Sequence, residues 1–311
     1  MTSPIRIGIL ASTLTITLPA CAHERPLAHA PGWTWPPFIM IPLILTAAFY
    51  AIGITRVWRR MGPSRRLYLE ITCFVAGWTS LLLALDSPIH DLGDQLFWVH
   101  MTQHEILVLI SAPLLVLSQP LVPLLWAFPQ SWRAAVGAFS RSRAFKAAWI
   151  TISAPAVAWF LHGLALWMWH APVLFVATLH SDAIHALQHI SFLGTALLFW
   201  WTLMHSHAGR LGYGGSVLYV FSTAVHTSVL GALLTFAPHV WYAPYAATAP
   251  AWGLTGLEDQ QIGGLVMWIP AGTLLTLVGL ALLVKWLNDS QRRWEYSRTA
   301  ELIRAAAGGR Q

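Results

Sequence analysis

Charge is what this chain has least of: 10% of its 311 residues are Asp, Glu, Lys or Arg, against 56% hydrophobic. A soluble domain carries about 25% charged residues, so the deficit excludes a soluble, disordered or fibrous chain and requires apolar surface that faces lipid. Cysteine is nearly absent too. Cys21 lies in the amino-terminal segment and Cys73 inside an apolar run, which excludes a disulfide framework and any C-x-x-C metal motif. Cys73 reads as a small buried residue. Metal chemistry, if present, must use His, Met or carboxylate. The basic residues fall between apolar stretches instead of forming a patch, so the net charge of +6 does not point to nucleic acid.

What is present begins with Arg6, an apolar run from Ile7 to Leu18, and Ala20-Cys21-Ala22. The run is too short to span a bilayer, and residues 1–22 read as a cleaved signal peptide that would leave His23 first. Seven apolar runs follow, near 36–57, 67–86, 97–120, 146–169, 183–204, 215–236 and 262–286. They predict an all-α polytopic membrane protein, a bundle of seven transmembrane helices within residues 23–287. Pro113, Pro120 and Pro155 are expected to kink or end helices. The 18 tryptophans suit interfacial belts, and Trp167, Trp169, Trp200 and Trp201 read as packing or anchoring rings.

The connections set an orientation. Arg56, Arg59, Arg60, Arg65 and Arg66, then Arg133, Arg141, Arg143 and Lys146, then Arg210 and a basic tail over 288–311 share one side. The other side holds Arg25 with Glu24, Asp86, Asp91, Asp94, Asp182, Glu258 and Asp259. The excess of Lys and Arg predicts the amino terminus outside and the carboxyl terminus in the cytoplasm. The tail would meet anionic lipid or only set topology.

Fourteen histidines are the unusual chemical feature, because ionisable groups in membrane spans are costly and mark function by default. The third span opens with His100 and His104, the fifth with His185 and His189. Each pair is four residues apart, so both rings project from one helix face, and two such helices offer up to four imidazoles to one or two ions. His162, His170 and His226 are expected in the same half of the membrane. His90, His180 and His239 fall in outer loops and read singly, like His162, as core or interfacial rings. His205 and His207 belong to the cytoplasmic end.

Imidazoles without thiolates suit copper, and also accept zinc or iron. Met101 and Met168 are thioether candidates or apolar filler. Glu105 would orient an imidazole, carry a proton, or hydrogen-bond to another helix. Asp86 and the run Glu258-Asp259-Gln260-Gln261 would attract cations or solvate loop ends.

Several segments resemble the CtaG family of cytochrome c oxidase assembly factors: Asp86-Ser87-Pro88, Val99-His100-Met101-Thr102-Gln103-His104, Ala112-Pro113-Leu114-Leu115, and Trp169-His170-Ala171-Pro172. His185-Ala186-Leu187-Gln188-His189-Ile190-Ser191-Phe192, Phe199-Trp200-Trp201 and Asp259-Gln260-Gln261-Ile262-Gly263-Gly264-Leu265-Val266-Met267-Trp268 continue it, for coverage of about 36 to 287. Gln188 stands where the family likeness leads one to expect an acid. The resemblance implies a multi-pass protein of a bacterial cytoplasmic membrane that matures the haem-copper centre of the oxidase, delivering copper from the outer face. It implies oxidase subunits and a copper chaperone as partners, and singles out His100, His104, His170, His185, His189, Asp259 and Gln260. It implies no enzymatic turnover. Competing readings are a haem-handling protein with axial histidines, an intramembrane zinc hydrolase with Asp259 or Glu105 as base, and a copper transporter using His205 and His207.

Overall fold

The computed structural model describes residues 31–205 and 211–308, with side chains through Thr299. The expected signal peptide, His23, His207 and Arg210 lie outside the described residues. Every regular element among the described residues is helical.

The first span is α1, Pro37–Met61, opened by proline at its first turn and closed at Gly62. Proline suits that first turn because the N–H it lacks would have no partner there. The second, α2, Arg65–Leu85, is capped by Ser64, whose hydroxyl accepts from Leu67 N at 3.2 Å. A short helix, α3, Pro88–Gly93, follows behind its own serine cap, Ser87. The third span is composite: α4, Phe97–Glu105, a π-helical turn over Ile106–Ser111, then α5, Ala112–Leu117.

Between spans three and four the expected connection is itself helical, with α6, Leu121–Trp126, and α7, Gln130–Arg141. The Arg56 guanidinium donates to the carbonyls of Trp126 and Ala127, at 2.8 and 2.9 Å, and ties α6 back to α1. On α7, Trp132, Val136 and Phe139 are exposed at helical spacing, an apolar stripe suited to the bilayer interface.

The fourth expected span, 146–169, is broken at Pro155 as expected. It consists of two helices, α8, Arg143–Ile152, and α9, Pro155–Trp169, bent by 62°. Pro155 has no N–H to continue α8, and it holds Ala154 extended, at φ −63° and ψ 134°. Then come α10, Pro172–His180, and the long spans α11, Asp182–His205, and α12, Gly212–Thr235. After α13, Ala243–Thr248, the chain enters α14, Gly256–Gly308. A reciprocal cap opens it: Thr255 N donates to Glu258 Oε2 at 2.8 Å and Glu258 N to Thr255 Oγ1 at 3.2 Å. The helix does not stop near 287, so the seventh span and the basic tail are one rod.

Among the described residues six helices are long and apolar enough to cross a membrane, and seven spans result when the bent pair counts as one. The largest buried cluster joins Trp169, Phe192, Phe199, Trp200 and Tyr219 across α9, α11 and α12. At one end of the bundle α4 is packed between α3 and α14, and its histidine rings meet those of α11. Its first two free N–H groups, on Phe97 and Trp98, donate to Asp259 at 2.8 and 3.0 Å, a carboxylate cap supplied by another span. Glycine at 263 allows the approach, since a Cβ there would overlap the Phe97 ring.

Candidate metal centre

The end of the bundle held by α3, α4 and α11 gathers histidines. His100, His185 and His189 are buried, and each offers a ring nitrogen within 4.8 Å of the others. Ring centroids are 5.0 Å apart for His100 and His185 and 4.3 Å for His185 and His189. His104, one turn below His100, lies 4.5 Å from it and 5.4 Å from His189. His170, the residue that ends α9, is 6.2 Å from His104. His90 on α3 stacks on His185 at 5.4 Å. The imidazoles of His90, His185, His100, His189, His104 and His170 thus form one unbroken row.

Their hydrogen bonds leave nitrogens open. Both ring nitrogens of His104 are buried without a partner, and so are Nε2 of His170 and Nε2 of His189. An unmet buried polar atom costs about 1–3 kcal/mol, so several in one place make the row the candidate ligand site. His170 donates through Nδ1–H to Leu166 O at 2.6 Å, the arrangement that fixes a metal-binding tautomer with the lone pair on Nε2. At His100 the fixing group is Tyr245. Its hydroxyl donates to Gly93 O at 2.8 Å, and His100 Nδ1 lies 3.2 Å from it. His100 is thus held at both ring nitrogens, by the phenol oxygen of Tyr245 at Nδ1 and by Gln188 Oε1, an acceptor, 3.4 Å from Nε2. Burial, and secondarily the carboxylates Asp94 and Asp259, hold the Tyr245 hydroxyl well above the usual phenol range, so it stays a donor.

His90 is held differently. Gln103 Nε2 donates to Ala84 O at 2.6 Å and lies 2.7 Å from His90 Nδ1, which therefore accepts. The proton of His90 then sits on Nε2, and the ring edges the row as a polar wall. Gly93 lets α3 lie this close, since a Cβ there would stand 2.9 Å from Gln103 Oε1.

Other candidates stand apart. His226 packs beside α9, its ring 5.5 Å from that of Trp159, and next to Gly163 and not the row. Met101 is fully buried in an apolar cluster with Phe97, Phe175 and Leu234; it fills space because it points about 100° away from His100 on the helix. Met168 is 42% exposed on the bundle surface. Asp86 accepts from Thr34 N, Thr34 Oγ1 and Trp35 N at 2.8–3.0 Å, so its charge anchors the segment before α1. Asp259 caps α4. Gln260 Oε1 accepts from Trp241 N at 2.6 Å. These three serve the frame and do not reach the row. Glu105 turns away from the histidines and lines a separate cavity with His162. The residues that sequence reasoning missed are His90, Gln103 and Tyr245. For His90 a signal existed in Ser87-Pro88, a helix-opening pair.

The fold and this row define a polytopic helical membrane protein with a buried cluster of histidines at one end of its bundle. Its family is equally plain: the match over residues 48–289 places the chain among the cytochrome c oxidase caa3 assembly factors. Uncharacterized proteins of Mycobacterium bovis and Mycobacterium tuberculosis are each 25% identical over 275 residues, and one of Mycobacterium leprae is 25% identical over 283. In each case the match covers 84% of this chain and 40% of the relative, so the chain spans about two fifths of the length of these curated relatives. No solved structure matches the chain.

Proposed function

We propose that this protein binds copper in the histidine row and passes it to a cytochrome c oxidase subunit during maturation of the haem-copper centre. The row itself carries the reading, since buried imidazole nitrogens on His104, His170 and His189 face no hydrogen-bond partner and adjoin the three-histidine group. Imidazoles in a site without thiolate suit copper, and family membership directs that metal toward the oxidase. The distribution of Arg and Lys supports placing the row at the outer face, where a chaperone would deliver copper.

In this reading His100, His185 and His189 hold the ion. His104 and His170 extend the ligand path, so that copper moves by exchanging one imidazole for the next. The protein orients these rings through Tyr245 and the Leu166 carbonyl. No bond is made or broken in a substrate, and the protein acts as a carrier and not an enzyme.

The test is metal content and optical spectrum of the purified protein after anaerobic copper loading. Wild type is compared with a folded variant carrying His100→Ala, His104→Ala, His185→Ala and His189→Ala. Stoichiometric copper held by wild type and reduced in the variant supports the reading. Equal copper in both rejects it, and a Soret band on purification would put haem in its place.

A further inference from the structure

Below the histidine row the bundle holds a second polar feature. A cavity of about 30 Å³ lies among α4, α9, α11, α12 and α14, lined by Glu105, His162, Thr223, Thr227 and Met267 in an otherwise apolar wall. One water needs roughly 10–15 Å³ by this measure, so the cavity has room for an ion or one to two waters. Glu105 Oε2 is sealed from solvent and has no hydrogen-bond partner, and no Lys or Arg lines the space. A carboxyl group left so inside a membrane protein is costly as the anion unless it takes up a proton or a cation meets it, and a metal ion can displace that proton.

The other lining groups are set as donors of electron pairs. Thr195 Oγ1 lies 2.8 Å from Ser191 O and gives its hydrogen there, so at 3.2 Å it accepts from His162 Nδ1–H. This leaves the lone pair of His162 on Nε2. The Thr223 and Thr227 hydroxyls donate to Tyr219 O and Thr223 O, at 2.8 and 2.9 Å, which leaves their oxygens able to accept. Met267 adds a thioether. One anion, one neutral imidazole and a soft sulfur suit a soft monovalent cation, whose charge the single carboxylate cancels.

We propose that this cavity is a second cation station, separate from the histidine row, in which Glu105 and His162 bind Cu(I) with Met267 as the soft ligand. The choice of Cu(I) rests on the proposed function, whereas the site rests on the cavity and its unmet carboxylate. Position favours passage between the two. Glu105 follows His104 directly, and His162 lies two turns from His170 on α9, about 12 Å along the helix.

The experiment is anaerobic Cu(I) titration of the full chain in detergent against a competing chelator, counting bound ions. The proteins are wild type, a row variant (His100→Ala, His185→Ala, His189→Ala) and a cavity variant (Glu105→Gln, His162→Gln). The proposal expects the cavity variant to bind one Cu(I) fewer than wild type, and the row variant to keep that one. Equal binding by cavity variant and wild type overturns it, as does a row variant that binds none. If the cavity variant loses an ion while the row variant loses nothing, the cavity stands and the row reading fails. As a check that does not require the cavity variant to fold, copper X-ray absorption of the row variant should show one sulfur neighbour, removed by Met267→Leu. A shell without sulfur overturns the assignment of Met267.

Discussion

At the level of single side chains, the proposed copper site depends on groups outside its set of ligands. Tyr245 steers His100 through one hydroxyl, so Tyr245→Phe keeps the ring and its packing while releasing Nδ1 from the phenol oxygen. The expected result is a roughly 10- to 100-fold weaker copper affinity, the usual cost of losing such a support, with little change in far-ultraviolet helicity, both measured on the purified variant. His100, His104, His185 and His189 were legible in the sequence because spacing of four puts two rings on one helix face. His90 and Tyr245 were not. His90 stands alone between two spans with no periodicity around it, and Tyr245 meets His100 across 145 residues of chain. The same distance misled in the other direction for Asp259. Beside Glu258 it looks like a lure for cations, yet its carboxylate is committed to Phe97 and Trp98, more than 160 residues away.

Among the elements, α12 and α14 cross closely. A Cβ on Gly264 would stand 2.6 Å from Thr235 N and 2.8 Å from Gly231 O, both backbone atoms that cannot swing aside. Small residues at such crossings let helices pack by van der Waals contact where lipid offers no hydrophobic drive. Gly264→Val is therefore expected to cost at least the 1–3 kcal/mol typical of overpacking, seen as a lower thermal midpoint in detergent, and to displace Met267, three residues on. Apolar runs made six of the helices visible from sequence, with ends within a few residues for most. The break between α8 and α9 was legible in Pro155, but its 62° angle was not, because the residues on both sides are apolar and hydropathy carries no direction. The helical character of 121–141 was hidden for a related reason: α7 keeps its apolar residues on one stripe, too sparse to read as a span.

For the whole molecule, the histidine row, the Asp259 cap and the Asp86 anchor sit at one end, while the arginine-rich connections Arg56–Arg66 and Arg133–Lys146 sit at the other. That separation predicts the row on the outer face. A fluorescent protein fused after Gln311 should light up in the cytoplasm, and an alkaline phosphatase fused at the same point should be inactive; the reverse pair of results would invert the topology. The third span then carries a further consequence through its π-helical turn, Ile106–Ser111. Such a turn closes on one residue more than an α-helical one, so everything after it is rotated by about 100° relative to an unbroken helix. Ahead of the turn, His100 and His104 address α11; at its last residue, Ser111 meets Ser80 of α2 at 2.8 Å. One inserted residue thus gives a single rod two phases, so that the histidine-bearing half and the half packed on α2 each present their own face to a different neighbour.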